Sequence, residues 1–228
     1  MPPSSTVDEK YYQVAGDGSL AGRMVVLARD RIYADFIAWA RPQPTTTVLD
    51  VGVSDVTTEG ANVLERLYPH PAQITAAGLG EGGGFRTAFP AATYRQIEAN
   101  QPLPFADRQF DIACANAVLE HVGSRENQRA FLAELARVAR RVYITVPHRF
   151  FPVEHHTAIP LLHWTDTTFR WACAALGKRE WARAENLILM SQAGLRAVCP
   201  AALRPQIGVT GLALGPFSSN LYLCFDQG

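Results

Sequence analysis

A short apolar run that ends in an acid and then a glycine turn constrains the fold of this chain more than any other feature. Residues 45–55 read TTTVLDVGVSD, and apolar residues at helical spacing follow from residue 61. A buried strand that stops at Asp50 and turns through Gly52 toward a helix is typical of an α/β sheet. Such a sheet leaves a crevice at the carboxyl end of the strand, where ligands bind.

The rest of the chain repeats this alternation of strand and helix. Apolar residues at helical spacing predict helices, and short apolar runs predict strands, which favours a Rossmann-like, doubly wound and mostly parallel α/β sheet. We expect one domain over residues 20–228, preceded by an N-terminal arm or lid at residues 1–19 and carrying an insertion at residues 148–164 after the fifth strand. The predicted helices cover residues 20–40, 61–67, 128–141 and 169–176, and the later strands cover 74–79, 92–97, 110–115, 142–146, 195–198 and 220–226.

The charge balance limits the classes of partner. Lys plus Arg and Asp plus Glu number 21 each, so no net field draws the chain to nucleic acid or to an anionic membrane. No uncharged apolar run is long enough to span a bilayer, and no leader pattern opens the chain, which predicts a cytoplasmic protein. The four cysteines lie far apart, so we expect reduced, buried thiols. Oligomeric state has no signal in the sequence.

The glycine turn at residues 50–55 lacks the features that hold a pyrophosphate. It has neither the three spaced glycines of the dinucleotide fingerprint nor the Gly-Lys-Ser or Gly-Lys-Thr of a phosphate-binding loop. A ligand that carries adenosine without phosphate therefore fits better, and S-adenosylmethionine is such a ligand. A nicotinamide-dependent oxidoreductase is disfavoured for the same reason.

Three segments resemble the class I S-adenosylmethionine-dependent methyltransferases, and specifically the small-molecule subgroup called methyltransferase type 11. They are VLDVGVSD at residues 48–55, LPFADRQFD at 103–111 and AVLEHV at 117–122. Together with the strands around them they cover about residues 45 to 147. The resemblance implies S-adenosylmethionine as cofactor and a small-molecule, glycan-like or lipid-like acceptor, with oxygen as the expected target atom.

The resemblance also implies a set of cofactor-binding residues, one group after each of the first four strands. Ser54 stands where a second glycine is common, and Gly78 stands where an acid is expected after the second strand, which leaves Glu81 as the candidate for the ribose. The alternative is that Glu81 is a solvated loop residue. The whole set is Asp50, Gly52, Val53 and Ser54 for the methionine half, Glu81 for the ribose, Glu98, Ala99 and Asn100 near the adenine, and Asn116 on the path to the acceptor.

The insertion is rich in histidine and aromatic residues, with the sequence HRFFPVEHHTAIPLLHW at residues 148–164. A hydroxyl acceptor needs a base, and His155 and His156 are the catalytic candidates, with Glu154 to orient one of them. The alternative is that these residues only fix the shape of the insertion. Glu154, His155, His156 and His163 are also metal-ligand types, but adjacent histidines in an extended chain point to opposite sides, so no metal is expected.

Two other functions remain as alternatives at this stage. The turn at residues 50–55 contains a single glycine, which is compatible with a nonenzymatic binding or interaction protein that retains the methyltransferase fold. Nucleic-acid methylation is disfavoured by the neutral charge and because Asn116 is followed by Ala-Val-Leu instead of two prolines and an aromatic residue. His121 in the third segment is interpreted as a packing or capping residue.

Overall fold

The structure is a computed structural model that describes residues 20–55 and 60–228, so the predicted arm at residues 1–19 lies outside the described part. Within that part, seven strands form one sheet in the order β3-β2-β1-β4-β5-β7-β6. Strands β1 to β5 run parallel, whereas β7 is antiparallel to β5 and to β6. The predicted α/β, mostly parallel fold is confirmed. The strands are β1 (Val48–Val51), β2 (Ile74–Gly78), β3 (Thr93–Gln96), β4 (Phe110–Asn116), β5 (Ala139–Pro147), β6 (Gln206–Leu214) and β7 (Phe217–Asp226).

Helices connect and cover these strands. Ser124, Thr165 and Ser191 each accept a hydrogen bond from a backbone amide in the first turn of the helix that follows, which satisfies a donor that has no partner inside the helix. The short helix after β2, which starts in a run of three glycines, was not predicted. The helices are α1 (Leu20–Ala40), α2 (Val63–Leu67), α3 (Gly83–Ala88), α4 (Arg125–Val138), α5 (Asp166–Ala175) and α6 (Gln192–Val198).

The sheet is buried on both faces. In β4 the alternate residues Ile112 and Ala113 belong to hydrophobic clusters on opposite faces. Leu132 and Leu135 of α4 cover one face, and Phe36 of α1 covers the other. Burial on both faces makes the central strands almost continuously apolar, which is why they are recognisable in the sequence.

The predicted strand at residues 195–198 is wrong, because these residues form the second half of α6. Ser191 caps that helix through a 3.1 Å hydrogen bond from the Gly194 amide to its Oγ. A four-residue apolar run is too short for its period to separate helix from strand. The strand in this part of the chain is β6, whose pairing with β7 is interrupted by a register shift between Thr210 and Ala213.

The cysteines are free and buried, as expected. Burial raises the pKa of the Cys173, Cys199 and Cys224 thiols to about 11, so these thiols are protonated at neutral pH. In the described ranges, no helix is both long and apolar enough to cross a membrane.

Candidate active site at the carboxyl edge of the sheet

A large cavity of about 1070 Å³ opens at the carboxyl edge of the parallel strands. Its lining includes Gly52 after β1, Gly78 at the end of β2, Asn116 at the end of β4 and Pro147 at the end of β5. Arg29 of α1 and residues of the segment after β5 close the cavity from the other side. The cavity therefore lies in the crevice where open α/β sheets bind their ligands.

Most of the residues singled out from the sequence line this cavity, and three do not. Asp50 lines a smaller neighbouring cavity of about 70 Å³. Ser54 is fully buried, and its backbone exchanges two hydrogen bonds with the Asn62 side chain. Glu81 has an exposed side chain in the loop after β2. The residues in the lining of the large cavity are Gly52, Val53, Glu98, Ala99, Asn100, Asn116, His155 and His156.

The turn after β1 is held in one conformation. Gly52 has a φ of 99°, and a Cβ built on it would lie 2.2 Å from Cγ2 of Val118. Its amide donates a 2.8 Å hydrogen bond to the Ala77 carbonyl of β2. Farther along the turn, the Asp55 carboxylate accepts hydrogen bonds from the amides of Gly82 (2.9 Å) and Phe85 (3.1 Å). Only glycine fits this conformation and this close approach without strain.

Two buried carboxyl groups lie behind the turn. Burial raises the pKa of Asp50 well above its usual range, and the charge of Glu65 raises it further. Burial also raises the pKa of Glu65 to about 7, although its own backbone amide opposes this. Neither carboxylate oxygen of Glu65 has a hydrogen-bond partner within residues 20–55 and 60–228. The buried Asp50 and Glu65 carboxyl groups are therefore stabilised either by being protonated or by a positive charge that lies beside the turn.

The end of β2 is closed by Tyr94 of β3. The Tyr94 hydroxyl donates a 2.7 Å hydrogen bond to the Gly80 carbonyl. A Cβ on Gly78 would lie 2.7 Å from that hydroxyl oxygen and 2.8 Å from the Val53 carbonyl oxygen. The tyrosine therefore occupies space that an acidic side chain at residue 78 would need.

His121, Glu154 and His156 line the cavity on the side of the insertion, with the buried Glu120 beside His121, and we call these four residues the histidine cluster. Nδ1 of His156 lies 2.9 Å from Oε1 of Glu154, and Nδ1 of His121 lies 2.6 Å from the carbonyl oxygen of Asn186. The two Nε2 atoms face each other at 3.1 Å. Trp181 stacks on the His156 ring at 5.2 Å between centroids.

Glu154 is the most strongly bonded member of the histidine cluster. Its Oε2 accepts hydrogen bonds from the His156 amide (2.9 Å), the Thr157 amide (2.6 Å) and the Thr157 hydroxyl (2.6 Å). Burial acts to raise the pKa of Glu154, but the hydrogen bonds and the charge of His156 outweigh burial and hold it at about 2. Glu154 is therefore an ionised carboxylate that fixes the orientation of His156.

The adjacent histidines differ in basicity. Burial, together with the charge of His156, lowers the pKa of His155 to about 4. Burial also acts to lower the pKa of His156, but the hydrogen bond and charge of Glu154 raise it above its ordinary value. His163 makes a different contact, with Nε2 2.8 Å from the Phe151 carbonyl oxygen, and it is not in the metal-ligand group found among the described residues. The four ligand-type residues considered in the insertion are thus not brought together.

Glu120 and His121 were not predicted from the sequence as site residues. These residues lie in the 3₁₀ turn Leu119–His121, directly after β4 and therefore at the same edge as the cavity. Glu120 is almost fully buried, with 1% of its surface exposed. Their position at the carboxyl end of a predicted strand was the signal that could have marked them as site residues.

Comparison with known proteins identifies a domain family for part of the chain. Residues 60–142 match a family model described as a methyltransferase domain. A search of curated proteins gives no significant match.

Solved structures share the fold over most of the chain. An S-adenosylmethionine-dependent methyltransferase from Methanosarcina mazei has 15% identity and a TM-score of 0.56, with 84% of this chain and 96% of that chain covered. The magnesium protoporphyrin IX methyltransferase from Synechocystis PCC 6803, solved with bound S-adenosylhomocysteine, has 16% identity and a TM-score of 0.59, with 99% and 96% covered. A Thermotoga maritima methyltransferase has 13% identity and a TM-score of 0.55, with 90% and 94% covered.

The sheet order and the cavity at its carboxyl edge define the class as a Rossmann-like α/β protein with a ligand crevice. The family match narrows this class, because residues 60–142 match a methyltransferase domain and the fold is shared with S-adenosylmethionine-dependent methyltransferases.

Proposed function

We propose that this enzyme transfers the methyl group of S-adenosylmethionine to an oxygen atom of a small-molecule, glycan-like or lipid-like acceptor. The observation that carries this proposal is that one cavity contains both the Gly52 turn and the histidine cluster. A volume of about 1070 Å³ has room for a cofactor and an acceptor together. Transfer from a sulfonium mainly requires that the two reactants be held in line and in contact.

The cofactor end of the cavity is formed by the Gly52 turn and residues 98–100. Gly52 and Val53 offer backbone groups to the methionine half, with the buried Asp50 and Glu65 carboxyl groups behind them to favour its positive charge. Glu98, Ala99 and Asn100 line the far side of the cavity, where the adenosine is expected. Ser54 would influence cofactor binding only through the conformation of the turn. Glu81 would reach the ribose only if the loop after β2 moved.

The acceptor end is formed by the histidine cluster and the insertion at residues 148–164. When bound, S-adenosylmethionine supplies an electrophilic methyl carbon. The bound cofactor would supply this carbon for the new bond to the acceptor oxygen, sulfur would keep the electron pair of the broken carbon–sulfur bond, and the imidazole pair would take the hydroxyl proton. His156 fits this role because Glu154 orients it, whereas the low pKa of His155 suits it to contact with the acceptor.

An acceptor screen tests this proposal. Hydroxyl and carboxyl compounds would be assayed beside their amine and thiol counterparts of the same size, with formation of S-adenosylhomocysteine as the readout. We expect turnover with oxygen acceptors and a lower kcat in His156→Asn with unchanged cofactor affinity. Turnover restricted to amine, thiol or carbon acceptors would reject the oxygen target, and failure to bind S-adenosylhomocysteine would point to a binding protein.

A further inference from the structure

The two imidazoles of the histidine cluster present a pair of nitrogen lone pairs to each other. The Asn186 carbonyl oxygen only accepts hydrogen bonds, so His121 carries its proton on Nδ1. The Glu154 carboxylate likewise requires the His156 proton on Nδ1. In neutral rings both Nε2 atoms are then unprotonated, and they lie 3.1 Å apart. In that state the two Nε2 atoms are placed to bind one cation together.

Glu120 adds a buried carboxyl group whose oxygens lack hydrogen-bond partners among the described residues. Its side chain is 1% exposed, and neither of its oxygens has a hydrogen-bond partner in the part of the chain that the structure describes. Oε1 lies 3.8 Å from Nε2 of His121. A buried carboxylate without hydrogen bonds is costly unless a positive charge compensates it. A proton shared between the two histidines would leave these oxygens without a ligand.

We propose that Glu120, His121 and His156 bind a divalent transition-metal ion, with Zn²⁺ as the best match. Their ligand atoms all lie within 4.8 Å of one another. Two imidazole nitrogens and one carboxylate oxygen form one of the ligand sets of catalytic zinc sites, which keep a further position open. Ligand atoms about 2.1 Å from a common ion are roughly 3 to 3.5 Å apart in tetrahedral geometry, close to the separation of the two Nε2 atoms.

The groups around the proposed ligands support this assignment. Histidine ligands commonly donate their second N–H to a carboxylate or a backbone carbonyl, which fixes the ring and raises its basicity. His156 makes this contact with Glu154 and His121 makes it with Asn186. Trp181 packs against both rings, at 5.2 Å from His156 and 6.5 Å from His121. Both histidines are therefore already oriented with Nε2 toward the site.

The open side of the site faces the large cavity, because His121 and His156 both line it. An acceptor carboxylate or hydroxyl oxygen would occupy the remaining position on the ion; because both Nε2 atoms would then be ligands, the ion would replace the imidazole base by favouring release of the hydroxyl proton to solvent, and this consequence rests on the proposed function. Metal binding itself does not rest on it. This ligand set differs from the four ligand-type residues considered within the insertion. Two of its members, Glu120 and His121, come from the 3₁₀ turn after β4.

Metal titration of the full chain tests the proposal directly. The chelator-treated protein would be titrated with Zn²⁺ by calorimetry and with Co²⁺, whose visible bands report its ligands. We expect one equivalent to bind, with affinity reduced by at least about 10-fold in Glu120→Gln and in His121→Gln. His155→Gln is the matched control because His155 lines the same cavity and is not a proposed ligand, so its affinity should be unchanged.

Absence of stoichiometric binding by the unmodified chain would overturn the proposal and leave a shared proton between the imidazoles. Equal affinity in all variants, or a loss confined to His155→Gln, would also overturn it. Binding of S-adenosylhomocysteine would be measured in each protein by the same method. Retained cofactor binding without metal binding rejects the metal site alone, whereas loss of cofactor binding in the unmodified chain rejects the proposed function.

Discussion

The two ends of the cavity are built in different ways. The cofactor end is shaped by backbone, with a glycine at positive φ, a close approach to Val118 and a capped turn at Asp55. The acceptor end is shaped by buried side chains that bond to one another, with Glu154 at the centre. A backbone site can be encoded in one short segment, whereas a side-chain network needs residues from distant segments. The two ends should therefore fail differently when they are mutated.

The largest expected effect is on the acceptor end. Glu154→Ala leaves the donors of His156 and Thr157 without their acceptor in a buried position, and we expect a loss of about 3 to 5 kcal/mol of unfolding free energy. Urea denaturation measures this loss. Glu81→Ala, in an exposed loop, serves as the control and should change stability little. Equal midpoints for the two variants would contradict the central role of Glu154.

The buried carboxyl pair at the cofactor end should make stability depend on pH. The folded-state pKa of Glu65 is raised to about 7 from 4.5, so the folded state holds this proton more tightly than the unfolded state does. Its contribution is present below pH 4.5 and is lost as the pH rises through 7, a fall of about 3 kcal/mol between pH 4 and pH 8. Glu65→Gln should reduce this slope in denaturation curves, with Asp50 supplying the remainder through its burial, and exposed Glu185→Gln should leave the slope unchanged. Parallel slopes in all three proteins would show that Glu65 titrates normally.

The glycine turn should control cofactor affinity. Gly52→Val places a branched side chain at a φ of 99° and against Val118, and we expect about 100-fold weaker binding of S-adenosylhomocysteine by calorimetry. Gly83→Val is the matched control, because a Cβ there meets no atom within 4 Å. Affinity that survives Gly52→Val would mean that the turn does not contact the cofactor.

The smallest expected effect comes from one hydrogen bond near the end of β2. Tyr94→Phe removes the bond to the Gly80 carbonyl and should cost about 1 kcal/mol of stability in thermal denaturation. Tyr143→Phe is the contrasting control, because the Tyr143 hydroxyl is buried without a hydrogen-bond partner among the residues described. It should cost nothing or stabilise the protein. A larger loss in Tyr143→Phe would reverse this expectation.

The sequence predicts the central sheet well and its far edge poorly, for a physical reason. Strands β1, β2, β4 and β5 are buried on both faces and read as apolar runs. Strand β6 is half exposed, contains Gly208 and Gly211 and is interrupted by a register shift, so neither alternation nor an apolar run marks it. The short run at residues 195–198 resembled a strand because its helical cap, Ser191, lies outside the run.

The residues of the candidate site also differ in how well the sequence predicts them. Gly52, Val53 and residues 98–100 could be predicted because each directly follows a strand. The contact between His121 and His156 joins residues 35 positions apart, and no spacing rule relates them. Their rings meet only because Glu154 and Asn186 orient them, and those orientations depend on tertiary packing. The change in composition marks the insertion in the sequence. Its contact with the 3₁₀ turn after β4 has no such mark.

The order of the last two strands has a consequence for synthesis of the chain. Strand β6 precedes β7 in the chain, but β7 lies between β5 and β6 in the sheet. When β6 has emerged from the ribosome and β7 has not, no strand joins β6 to the rest of the sheet. The outer edge of β5 then stays unpaired. Such an edge is a template for pairing with other chains. Ribosome-bound intermediates stalled before Phe217 are thus the species in which this protein most needs chaperone protection.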